Sequence, residues 1–247
     1  MVGGVPTAEG FDQWYADRAE SPLADELVRR VLDLPPDLES TSLLSGAGLD
    51  EVVRALDLRP GEVLLDLACG RGGYGLEIAR RTGCQLIGVD FSAVAISKAR
   101  QRSARADFRV GTLTATGLES SSVDAVVVVD ALQFADSKPA ALEECFRVLR
   151  PGGRLVITCW EAVVVGDESV SPLMRDLDLA RLLPEAGFTA VEVVGKPEWR
   201  VVEKRMWDEA LAVDAPDDPA IRSMQDEARR VLGQFDDLRR VFATACR

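Results

Sequence analysis

Val63-Leu64-Leu65-Asp66-Leu67-Ala68-Cys69-Gly70-Arg71-Gly72-Gly73-Tyr74-Gly75 reads as a buried strand that ends in a glycine-rich turn and opens into a helix. The strand is apolar except for Asp66. Glycines in such a turn let a ligand approach the backbone closely, and the free amides at the helix start face it. The turn alone leaves two readings open. Gly70, Gly72 and Gly75 satisfy the dinucleotide spacing G-x-G-x-x-G, with Asp90 about 20 residues on as a ribose-binding acid.

Working outward, further apolar runs at Gln85 to Val89, Ala125 to Val129 and Arg154 to Thr158 alternate with helical patterns at Gly73 to Arg81, Ala93 to Arg102 and Pro139 to Leu149. Short, β-branched, nearly all-apolar strands separated by helices are what a parallel sheet covered on both faces requires, so the core is doubly wound α/β. Upstream, Phe11 to Leu34 is amphipathic, with Ser21 as an N-cap and Pro35-Pro36 as the stop. After a polar loop from Asp37 to Gly48, Asp50 reads as the cap of a helix carrying Val52, Val53 and Leu56. Downstream of Trp160 come a helix near Leu173 to Ala186, a strand at Ala190 to Val194, a helical segment from Glu203 to Gln234 broken at Ala215 to Pro219, and a last strand from Arg240 to Ala245. The implied division is an N-terminal helical cap over 1–48, a core over 49–197, a helical lid over 198–236, and the last core strand over 237–247.

The 247 residues carry 41 acidic against 29 basic side chains, a net charge of −12, which repels phosphate backbones and anionic membranes and disfavours nucleic-acid partners. The five cysteines show no Cys-x-x-Cys spacing, which argues against a zinc site or a disulfide framework and fits a cytoplasmic protein. No signal pattern or apolar run of membrane-spanning length is visible, so no membrane insertion is expected. Histidine is absent, which removes the commonest general base and metal ligand.

Two features separate the readings of the glycine turn. Asp66, inside the strand, is placed to hold an ammonium group directly or through water, and Val148-Leu149-Arg150-Pro151-Gly152-Gly153-Arg154-Leu155-Val156-Ile157 reads as a helix end and tight turn into the next strand. With Gly88-Val89-Asp90-Phe91-Ser92 between them, these motifs over residues 52 to 160 resemble the class I S-adenosylmethionine (SAM)-dependent methyltransferases. The resemblance implies a Rossmann-like, mostly parallel seven-stranded sheet with an antiparallel last strand. It also implies that SAM is the cofactor and S-adenosylhomocysteine the product, and that Asp66, Ala68, Gly70 and Gly72 line the methionine end. Asp90 then accepts from the ribose hydroxyls and Phe91 packs on adenine. Thr112, where relatives often carry aspartate, and the Leu113 amide are expected near the adenine, and Tyr15 near the cofactor. Asp130-Ala131-Leu132-Gln133-Phe134 lies beside the transferable methyl in relatives, so Asp130 is expected at the cofactor.

The acceptor implied is a small molecule of natural-product, sugar, quinone or lipid type, contacted by Gln133, Phe134 and Trp160. No metal is expected, and a homodimer is left open. Without histidine, either the acceptor arrives nucleophilic or a carboxylate, Asp130 or Glu161, takes its proton. Blander readings stand beside these: Asp66 as a structural acceptor for turn amides, Asp130 as a helix cap, Trp199, Met206 and Trp207 as core packing, and the Arg229-Arg230 and Arg239-Arg240 pairs as solvated faces. The rival functions are a non-catalytic SAM-binding protein and an NAD-dependent oxidoreductase.

Overall fold

The computed structural model describes Gly10, Asp12 and residues 21–40 and 42–247. In chain order it places α1 (Pro22–Val31), α2 (Gly46–Leu56), β1 (Val63–Leu67), α3 (Gly73–Thr82), β2 (Gln85–Asp90), α4 (Ala93–Arg102), β3 (Asp107–Val110), β4 (Val123–Val129) and α5 (Lys138–Val148). There follow β5 (Leu149–Ala162), α6 (Pro172–Arg175), α7 (Leu179–Glu185), β6 (Thr189–Gly195), α8 (Pro197–Ala212), α9 (Pro219–Gly233) and β7 (Leu238–Cys246). The seven strands form one sheet in the order β3-β2-β1-β4-β5-β7-β6, with β7 antiparallel to both neighbours and the rest parallel. The strand order reverses between β1 and β4, and in an open α/β sheet that reversal opens a ligand crevice at the carboxyl ends of the strands.

Alternation along the apolar strands fills two cores. Leu64, Val127 and Val156 face α1, α2, α3, α8 and α9, while Leu65, Val126, Val128, Leu155 and Ile157 face α5 and α7. The segment expected as a lid shares the first core: Trp199, Met206, Trp207, Ile221 and Met224 are buried in it beside Leu27 and Val52. Packing, as expected, accounts for those aromatic and methionine side chains. No helix among the described residues is long and apolar enough to cross a membrane.

Three local expectations are corrected. Ser45, not Asp50, caps α2, its Oγ accepting from Gly48 N at 3.2 Å, because the helix starts a turn earlier than the apolar periodicity suggests. The helix expected over 173–186 breaks in two, because Asp178 accepts from Arg181 N (3.3 Å) and starts a new helix there. The segment at Pro151-Gly152-Gly153 is an irregular start of β5 rather than a turn before it. The register with β4 shifts there, Gly152 takes φ +79°, and Gly152 N donates to the Arg247 carbonyl at 2.9 Å.

Candidate functional site

Beyond β1 the chain turns through Ala68 (φ 63°), Gly70 (φ 53°) and Gly72 (φ 78°) before α3 begins. A left-handed alanine costs roughly 1–2 kcal/mol, so the surrounding bonds must hold this turn. Asp90, at the end of β2, supplies two of them: Oδ2 accepts from Gly70 N at 2.8 Å and Oδ1 from Ser92 N at 2.9 Å. Asp66 reaches the first turn of α3, where Oδ2 accepts from Gly75 N at 3.0 Å. The third glycine of the motif serves this contact, because a Cβ at Gly75 would stand 2.5 Å from Asp66 Oδ2. Both carboxylates are 3% exposed. Burial pushes the Asp66 carboxyl up to about 7, with the Asp90 charge adding to it, and burial raises Asp90 as well. Two buried carboxylates at one glycine turn repel a pyrophosphate and favour a cationic ligand.

Residues 37–40 and 42–45, a polar loop by composition, form a strap across the turn. Arg71, 4% exposed, donates to both oxygens of Asp25 (2.9 and 2.7 Å) and pairs with Glu39 at 3.0 Å. Tyr74 Oη donates to the Leu44 carbonyl at 2.5 Å, and Leu43 N donates to Asp130 Oδ2 at 3.0 Å. Gly73 lies so close beneath the strap that a Cβ there would meet the Glu39 carbonyl at 2.1 Å. The arginine within the glycine turn was the available signal, since a buried guanidinium demands carboxylate partners from elsewhere.

Asp130 follows β4 with φ 54°. It does not cap the short 3-10 turn at Leu132–Phe134. Its Oδ1 accepts from Thr158 Oγ1 at 2.7 Å and lies 2.8 Å from Arg240 Nη2. Gln133, 3% exposed, donates from Nε2 to the Asp130 carbonyl at 2.7 Å. Trp160 Nε1 donates to both oxygens of Glu203 (3.1 and 3.0 Å), and the Arg240 guanidinium lies 4.0 Å from the Trp160 ring centre. Arg240 is 1% exposed, which corrects the expectation that Arg239-Arg240 is a solvated pair. Neighbouring residues on a strand face opposite sides. Arg239 therefore turns to the other face and pairs with Glu161 at 2.8 Å. The Glu161 carboxylate also accepts from Leu179 N at 2.7 Å, so its oxygens anchor α7 and β7 on the face away from Trp160.

Beyond β3, Thr112 is exposed in a tight turn whose amide donates to the Ala115 carbonyl at 3.0 Å. Leu113, Phe91 and Phe134 are half-buried. Tyr15 lies outside the described residues, whereas Asp12 accepts from Ser92 Oγ beside Asp90.

Residues 65–157 match the family model described as a methyltransferase domain. The chain is 31% identical over 142 residues to a probable SAM-dependent methyltransferase of Mycolicibacterium smegmatis, covering 55% of each. It is 30% identical over 201 residues to an arsenite methyltransferase of Halobacterium salinarum, covering 74% of this chain and 51% of that protein. A phosphoethanolamine N-methyltransferase 2 of Haemonchus contortus shares the fold with a TM-score of 0.77 at 19% identity, over 100% of this chain and 60% of that one. Residues 65–157 therefore carry a methyltransferase domain. The chain spans about half the length of the curated relatives it matches. The matched segment holds Asp66, the glycine turn, Asp90 and Asp130, whereas the strap, Trp160, Glu203 and Arg240 lie outside it.

Proposed function

We propose that the protein binds SAM across the glycine turn and transfers its methyl group to a small-molecule acceptor. The pairing of buried Asp66 and Asp90 at that turn carries this reading, because it suits a cationic adenosyl ligand and opposes a dinucleotide. SAM supplies an electrophilic methyl on a sulfonium. Ala68, Gly70 and Gly72 pass under its amino-acid end, and Asp66 receives the ammonium. Each Asp90 oxygen already holds one backbone amide and keeps a lone pair for a ribose hydroxyl, so the acid is oriented before the ligand arrives. Phe91, Thr112, Leu113 and Tyr15 close the adenosyl side, and Gln133, Phe134 and Trp160 face the acceptor.

Asp130 and Glu161, expected from the sequence as bases, take other roles in this reading. Asp130 is committed to Thr158, Leu43 and Arg240 and sets the charge and shape of the acceptor side; Glu161 is committed to Leu179 and Arg239 and holds the fold. The acceptor therefore arrives nucleophilic, and the domain accelerates transfer by alignment and exclusion of water. The reading also places the protein in the cytoplasm, where its free thiols stay reduced.

Calorimetric titration of the protein and of Asp90→Ala with SAM, S-adenosylhomocysteine and NAD tests the cofactor. Binding of both adenosyl ligands, weakened about a hundredfold or more in the variant, is expected, since two charge-assisted bonds of about 1.5–3 kcal/mol each are lost. Preference for NAD, or no adenosyl binding, would refute it.

A further inference from the structure

Arg240 is the residue that the methyl-transfer reading leaves unexplained. It is the third residue of β7, in register with Trp160 on β5, and touches Asp130 beyond β4, which places it at the sheet edge that carries the glycine turn. Among the described residues its Nε and Nη1, which carry most of the guanidinium's N–H donors, have no acceptor. Its Nη2 stands 2.8 Å from Asp130 Oδ1 without hydrogen-bond alignment. The neighbouring carboxylates do not meet its Nε or Nη1. Glu203 is filled by Trp160 Nε1 and by Arg200 Nη1 at 3.2 Å, Asp130 already accepts from Thr158 and Leu43, and Glu161 lies on the opposite face. The indoles of Trp160 and Trp199, with ring centres 4.0 and 5.6 Å from the guanidinium carbon, surround it with apolar surface.

A fully buried guanidinium with unmatched donors is costly unless a partner arrives. A planar fork held against aromatic rings offers its edge, and that edge matches the oxygens of a carboxylate or phosphate. We propose that Arg240 receives an oxyanion of the methyl acceptor, so that the acceptors of this domain are small molecules bearing a carboxylate or a phosphate. The inference rests on the methyltransferase reading for the word acceptor, but the anion site itself does not. Asp130 then holds the guanidinium from one side and leaves its remaining donors for the ligand. Trp160 fixes the plane in which the ligand's oxygens must lie.

The test uses the full chain saturated with S-adenosylhomocysteine, with tryptophan fluorescence followed during titration with benzoate, inorganic phosphate and the neutral isostere benzamide. Saturable quenching is expected with benzoate or phosphate and not with benzamide. The response to benzoate alone assigns a carboxylate, and the response to phosphate alone assigns a phosphate. The variant Arg240→Gln combined with Asp130→Asn removes both charges and strands neither. It should bind the anion at least about tenfold more weakly, and Arg240→Lys should restore part of the loss. Quenching by benzamide equal to that by benzoate, no saturable response to either anion, or an unchanged response in the double variant would overturn the inference. Failure of S-adenosylhomocysteine to bind, with anion binding intact, would refute the methyltransferase reading and leave the anion site standing.

Discussion

Replacing Asp66 by asparagine should make the protein more stable at neutral and alkaline pH while weakening its hold on the cofactor. The carboxylate is buried inside β1, and burial pushes its carboxyl from 3.8 to about 7. The folded chain therefore retains the proton over a range where the unfolded chain has released it. Stability then falls as pH rises between those two values, the reverse of the usual behaviour of a salt-bridged acid. At 1.36 kcal/mol per unit the full gap is about 4 kcal/mol, and relaxation and water entry leave about half of that at pH 8. Asparagine keeps an oxygen to accept from Gly75 N, so the bond at 3.0 Å survives without the charge. Thermal unfolding at pH 8 should show Tm raised by roughly 4–8 °C in Asp66→Asn, with the two proteins converging near pH 4. Titration with SAM should show affinity reduced about tenfold or more, through loss of the charge proposed to receive the ammonium. A variant that is less stable than the parent at pH 8, or a difference independent of pH, would refute the account of Asp66 as a desolvated acid kept for its ligand.

Gly73→Ala puts a methyl into the strap at the Glu39 carbonyl and should cost about 1–3 kcal/mol in urea unfolding and weaken SAM binding, whereas Gly117→Ala, with open space around it, should reveal only the cost of its φ of +72°. Glu161→Gln should lower stability by about 1–3 kcal/mol through its bonds to Leu179 and Arg239, with kcat unchanged on any acceptor found; a drop in kcat at full folding would return Glu161 to the reaction. Arg71→Met removes the ion pairs to Asp25 and Glu39 and should cost about 1–3 kcal/mol, with protease cleavage of the strap in the folded protein as a second readout.

The elements that the sequence determined alone are those whose signal is local. A run such as Ala125 to Val129 is apolar on both faces and can lie only in a covered sheet, and Gly70 and Gly72 mark left-handed turns that few other residues accept. Asp66 and Asp90 were legible because a carboxylate in an apolar strand, or at its carboxyl end, has few uses other than to meet a ligand or an amide, and both come to the glycine turn. Tertiary structure decided what depends on register and on partners far apart in the chain. Asp130 and Arg240 are more than a hundred residues apart, and whether Arg239 or Arg240 faces inward follows from the antiparallel pairing of β7 with β5, which no local pattern encodes. The same pairing turns Glu161 away from Trp160 and into a bond with α7. The strap over residues 39–40 and 42–45 was hidden because its bonds are made largely by backbone groups, and those carry no residue-specific signal.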